Sequence, residues 1–157
     1  MSLENGTYII TNQLTRSPVS SLDGTRSNPV SRVVTLPRGV EAPFWNLIKE
    51  RDGFYRLTQE RSAAIEIDGL LFLSDRNEDK FLTTWSVEHA PEHGENAYII
   101  TKLKLGGPSS GWVVTEPTPY AQVAVRPSIY TQSLPAQLTP NQVFNIVRVD
   151  RDGDDAN

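Results

Sequence analysis

An aromatic strand recurs three times along this chain, at Trp45, Trp85 and Phe144, each followed two residues on by an aliphatic side chain: Leu47, Val87 and Ile146. A tyrosine strand recurs in step with it, at Tyr8, Tyr55 and Tyr98, each with a Gly or Asn one to three residues ahead. Polar hairpins, 49–53 and 88–94, join Trp45 to Tyr55 and Trp85 to Tyr98, so the units begin near residues 6, 53 and 95. A repeat of this length holds four short strands but cannot bury its apolar face alone, so three units must share one core. The pattern predicts an all-β fold, a β-trefoil of twelve strands in three pseudo-repeats. Six strands close a barrel and three hairpins cap its open end, which leaves few free sheet edges. A β-sandwich of similar length is the rival architecture.

The strand pattern is legible because helical periodicity is almost absent. Short runs rich in β-branched and aromatic residues alternate with Gly, Pro, Asn and Asp. Eleven runs read as strands: 7–11, 32–36, 44–48, 54–58, 64–67, 70–73, 84–87, 97–101, 111–114, 122–125 and 143–147. A twelfth is expected in the polar stretch near residues 17–23. The 11 prolines fall almost wholly between these runs, where a missing N–H harms no ladder.

Composition narrows the function. A length of 157 residues suits one domain, and a net charge of −4 lacks the basic patch that DNA or RNA requires. The acidity is concentrated: residues 150–157 hold four Asp and one Arg, so 1–149 reads as a single trefoil domain and 150–157 as an acidic tail. With Cys 0, a disulfide framework, an Fe–S cluster and a cysteine nucleophile are excluded. No basic-then-apolar leader opens the sequence and no apolar run reaches the ~18 residues of a membrane span, so a cytoplasmic protein is expected. No cofactor and no metal are expected either. His89 and His93 bracket Pro91, which breaks the helical spacing zinc ligands would need, and they read as two exposed turn histidines. The Asp-rich tail lacks the closing Glu of a calcium loop. Nothing assigns a carboxylate pair to catalysis, and the chain reads as a binding protein rather than an enzyme.

Function on a barrel of this kind belongs to its long connections. Three are long and polar: 15–29, 74–80, and the stretch from Arg126-Pro127 to Thr139-Pro140. The first carries Thr25-Arg26-Ser27-Asn28-Pro29. Presented to a protease as a substrate would be, Arg26 is the P1 residue, whose cation fits a trypsin-type pocket with an acidic base. Thr25 is stiff at χ1 and favours an extended backbone. Ser27 leaves the Arg26–Ser27 peptide open to attack, and Pro29 biases Asn28 toward the extended region. Asp23, Ser27 and Asn28 offer short side chains that can tie such a loop to its own backbone. Arg38, Arg61, Arg76 and Arg126 compete as P1 candidates, but Arg126 precedes Pro127 and so makes a poor scissile bond.

The segments 1–12, 67–72, 91–98 and 111–114 resemble the mushroom β-trefoil protease inhibitors, especially the serine protease inhibitors of the cospin and cnispin type. The resemblance runs from residue 1 to about 149. It implies a cytosolic fungal trefoil that reversibly inhibits trypsin-like serine proteases through a loop that varies between members; a monomer is expected separately, because a compact inhibitor has no need of a second copy. The connection of the second and third strands is one such loop, and Arg26 falls on it. The connection of the eleventh and twelfth strands is another, where Arg126-Pro127 departs from an inhibitory bond. Two other functions remain open on the sequence. A sugar-binding trefoil usually carries Gln-x-Trp in each repeat, and here Gln142-Val143-Phe144 is the only near miss. Inhibition of cysteine or asparaginyl proteases could use another loop, such as the one holding Arg76-Asn77.

Overall fold

The computed structural model describes residues 3–21, 30–76, 79–102, 109–133 and 137–149. Its strands are β1 (Gly6–Asn12), β2 (Val19–Ser21), β3 (Val30–Thr35), β4 (Trp45–Arg51), β5 (Phe54–Gln59) and β6 (Ser62–Ile67). They continue as β7 (Leu70–Ser74), β8 (Thr84–His89), β9 (Ala97–Lys102), β10 (Ser110–Val113), β11 (Ala124–Pro127) and β12 (Phe144–Arg148). A single helical turn, α1 (Lys80–Thr83), precedes β8, with the Asp79 carboxylate capping the Phe81 N–H. Each run read as a strand in the sequence is one, and the twelfth, β2, lies where the polar stretch left room for it.

Six strands form a closed ring. β1 pairs with β4 and β12, β4 with β5, β5 with β8, β8 with β9, and β9 with β12, all antiparallel. The other six form the hairpins β2–β3, β6–β7 and β10–β11. These hairpins close on one another through β3–β7, β7–β11 and a bridge from Val34 to Gln122. That is the β-trefoil, and the rival sandwich, which needs two open sheets, does not describe it. β11 starts two residues later than its apolar run, because Gln122 and Val123 turn their backbones toward β3, where the Val123 N–H reaches the Val33 carbonyl at 2.9 Å. The β6–β7 turn puts both Asp68 (φ 53) and Gly69 (φ 79) in the left-handed region. That is the geometry a two-residue hairpin wants, and Glu66 steadies it by accepting the Gly69 N–H at 2.6 Å.

Strand alternation sends Tyr8, Ile10, Trp45, Leu47, Tyr55, Leu57, Trp85, Tyr98, Ile100, Phe144 and Ile146 into one core. The repeat aromatics pair their polar edges with the cap: the Trp45 and Trp85 indole N–H groups donate to the Val19 and Ala64 carbonyls, each at 2.9 Å. Trp112, from β10, fills the centre, its ring 5.7 Å from Trp45, 5.7 Å from Trp85 and 5.8 Å from Phe144. The histidines depart from expectation. Neither is exposed: His89 is half-buried against the Tyr98 ring at 5.1 Å with its Nε2 on the Glu95 carbonyl, and His93 is half-buried in a 3₁₀ turn. The sequence spacing could not show that the β8–β9 hairpin lays the His89 ring against Tyr98 and shields the His93 Nε2 from solvent.

The three repeat tyrosines lie close to one another. Tyr8 donates to the Glu4 carbonyl at 2.7 Å and Tyr55 to the Leu3 carbonyl at 2.6 Å. Burial, and then the nearness of Tyr8 and Tyr55, holds the Tyr98 phenol above its ordinary value of 10.0. A phenol harder to ionise when folded stabilises the fold fully below about pH 10, and that contribution is lost as pH rises through the raised folded value. The urea midpoint is therefore expected to fall on moving above pH 10, and to fall less in Tyr98→Phe. Identical alkaline slopes in the two proteins would contradict this.

Candidate functional site

The residues singled out in the sequence, Asp23, Thr25, Arg26, Ser27, Asn28 and Pro29, lie outside the described residues. The residues that flank them do not. Segment 22–29 leaves β2 at Ser21 and returns to β3 at Val30. Ser21 and Ser31 clasp across the two strands, Oγ to Oγ, at 2.8 Å. Beneath them Gln59 accepts from the Ser20 hydroxyl at 3.2 Å and the Ser21 N–H at 3.4 Å, while its Nε2 donates to the Phe44 carbonyl at 3.2 Å. Val30 then pairs with Ser74 on the neighbouring hairpin. Side-chain hydrogen bonds and strand pairing thus hold Ser21 and Val30, the residues on either side of the segment, with no disulfide involved.

A second long connection is braced more fully. β11 continues through Arg126 and Pro127, paired with Gly111 and Ser110, so the Arg126–Pro127 bond lies in a ladder rather than in a loop. The connection proper starts at Ser128, whose N–H reaches the Ser109 carbonyl at 3.2 Å. Gln142, buried to 6% exposure, turns its amide under the next residue. Its Oε1 accepts the Ile129 N–H at 2.9 Å, and its Nε2 donates to the Ile129 carbonyl at 2.7 Å and to Thr139 Oγ1 at 2.8 Å. Asn141 ties the same turn to the barrel: its Nδ2 donates to the Val114 carbonyl at 3.0 Å, and its own carbonyl accepts from buried Asn12 at 3.0 Å. Each of these amides, buried at Asn12 and Gln142 and half-buried at Asn141, is satisfied, which is the condition under which a polar network stiffens a structure rather than weakening it.

Sequence reasoning missed this brace. Gln142-Val143-Phe144 drew notice as a near miss to a sugar-binding motif, but Gln142 points inward and spends its amide on Ile129 and Thr139. The available signal was Pro140, which starts the 3₁₀ turn Pro140–Gln142 that aims Asn141 and Gln142 into the barrel. Of the competing basic residues, Arg38, Arg61 and Arg76 are exposed, and Asn77 lies outside the described residues. No helix among the described residues is long and apolar enough to cross a membrane.

Comparison with known proteins places this geometry. The family model of peptidase inhibitor I66 matches residues 1–148. A serine protease inhibitor of Lentinula edodes is 30% identical over 149 residues, spanning 95% of this chain and 100% of that protein. A proteinase inhibitor from Coprinopsis cinerea superposes with a TM-score of 0.80 at 27% identity, covering 94% of this chain and 100% of the other. The designed three-fold symmetric protein ThreeFoil superposes with a TM-score of 0.69 at 16% identity over 92% of this chain and 99% of its own, a likeness of fold alone.

Proposed function

We propose a substrate-like mode of action for this chain, which belongs to the peptidase inhibitor I66 family of mushroom β-trefoils. Its target is a trypsin-like serine protease, its P1 residue is Arg26 and its reactive bond is Arg26–Ser27, with Thr25, Asn28 and Pro29 as the protease-binding residues beside it. The observation that carries this reading is the clasp at the base of segment 22–29, where Ser21, Ser31 and Gln59 fix both ends of the chain on a closed barrel. A segment whose two ends are anchored gives up less entropy on binding than a free one. When the protease serine attacks the Arg26 carbonyl, the Ser27 amine is expelled but stays tethered within the same fold. It can attack the acyl-enzyme in return and restore the peptide, so the enzyme is held rather than turned over. The protein acts as a cytoplasmic monomer in this reading.

The test is trypsin titration of the wild type against Arg26→Ala. A buried hot-spot side chain contributes about 2 kcal/mol or more, so the variant's Ki should rise roughly 30-fold or more. Equal inhibition by both proteins would remove Arg26 from the site. No inhibition of trypsin by either would remove the trypsin-like target.

A further inference from the structure

We infer that Tyr130 is a second P1 residue, directed at a serine protease with a deep apolar pocket of the chymotrypsin type, and that Tyr130–Thr131 is its reactive bond. The inference rests on substrate-like inhibition by this scaffold, but not on Arg26.

Backbone alternation around Tyr130 carries the argument. Tyr130 bridges Leu138 in antiparallel fashion, and the hydrogen bonds flank that pair instead of joining it. The Thr131 N–H goes to the Gln137 carbonyl at 2.6 Å, and the Ile129 N–H and carbonyl are both held by Gln142. At such a position the residue's own N–H and C=O point away from the partner strand. Among the described residues neither Tyr130 group has a partner. Ile129 and Thr131 therefore face the scaffold while Tyr130 offers a free donor and acceptor outward. A serine protease reads a substrate in this alternation. The P1 N–H and carbonyl bond to the enzyme, the carbonyl in the oxyanion hole, while the P2 backbone is left to other partners. Ile129 at P2 and Tyr130 at P1 satisfy that pattern, whereas Ile129 at P1 would not, because Gln142 already occupies its backbone.

The side chains agree with the backbone. Tyr130 is 58% exposed and Ile129 65% exposed, on a stretch with no basic residue from Ser128 to Ser133. An aromatic side chain at P1 fits an apolar slot and leaves the acidic base of a trypsin-type pocket unpaired. Thr131 keeps the far side of the bond in place, its hydroxyl accepting the Gln137 N–H at 3.1 Å and pairing with the Ser133 hydroxyl at 2.7 Å. Tyr120, the other strongly exposed tyrosine, sits at φ 69 and cannot lie in an extended substrate-like segment.

The experiment titrates the wild type, Tyr130→Ala, Tyr130→Phe and Arg26→Ala against α-chymotrypsin and trypsin in parallel, with urea midpoints checked for each protein. Tyr130→Ala is expected to weaken chymotrypsin inhibition roughly 30-fold or more, Tyr130→Phe to stay within a few-fold of wild type, and both to leave trypsin inhibition unchanged. Gln142→Ala, which frees the loop, is expected to be cut by chymotrypsin after Tyr130, a cleavage that mass spectrometry locates. A wild type that does not inhibit chymotrypsin, or a Tyr130→Ala that inhibits it undiminished, overturns the inference. Loss of trypsin inhibition in Arg26→Ala alone bears only on the first loop, so the two sites fail separately.

Discussion

Trp112→Ala is expected to lower the unfolding free energy by about 3–5 kcal/mol, the cost of emptying a large aromatic site in a core that cannot collapse around it. Trp112 is 1% exposed and stands between Trp45, Trp85 and Phe144, at tilted and edge-to-face angles that favour aromatic pairs. Collapse is hindered because these three rings come from different barrel strands, β4, β8 and β12, each already paired on both sides. The loss is one of packing. The Trp112 indole N–H has no hydrogen-bond partner among the described residues, whereas those of Trp45 and Trp85 hold the cap carbonyls of Val19 and Ala64. Trp112→Phe should therefore cost clearly less than Trp45→Phe, which also strands a buried carbonyl at about 1–3 kcal/mol. Equilibrium urea unfolding of the three variants measures the order. A Trp112→Ala midpoint close to wild type would mean that the centre of the core repacks freely.

The fold was legible because its signals are local and repeated. A strand is visible in five or six residues, and the period in Tyr8, Tyr55, Tyr98 and in Trp45, Trp85, Phe144 sets how many strands there are and which belong together. Trp112 could be read as core but not as the centre of it, since nothing in Gly111-Trp112-Val113 says which three rings it meets. The braces under the loops were out of reach for a physical reason. Gln142 contacts Ile129, 13 residues earlier, and Asn12 contacts Asn141 across almost the whole chain. Such pairs have no sequence spacing of their own, because closure of the barrel creates them. With no cysteine in the chain, a rigid loop must be held by proline, by polar side chains and by the closed barrel beneath it. The sequence offers Pro29, Asp23 and Asn28 for this, all outside the described residues, while Gln59 and Gln142 bear that role at the ends of one loop and beneath the other.

Gly111→Val is expected to cost about 3 kcal/mol or more, at or beyond the upper end for overpacking, and to loosen the Tyr130 loop as well. A Cβ at residue 111 would stand 2.7 Å from the Ile100 carbonyl oxygen and 3.0 Å from Thr101 Cγ2. The first contact is backbone, so no side-chain rotation relieves it. β9 cannot retreat either, because it pairs with β8 on one side and β12 on the other within the closed ring. The remaining response is for β10 to lift, and its attachment to β9 is a single pair, Gly111 with Thr101. Lifting β10 moves Ser109, which holds Ser128 at the start of the connection, and Val114, which holds Asn141 beneath it. Hydrogen exchange read against urea unfolding separates the two effects. Amides of Ile129 and Thr131 should exchange faster in Gly111→Val by more than the global loss of stability explains, while the Ser21 amide, on the β2–β3 hairpin and bonded to Gln59 of β5, should follow the global loss alone. Uniform acceleration at all three would mean that the braces on the two loops yield together, and that the barrel rather than Gln142 sets the rigidity of the Tyr130 loop.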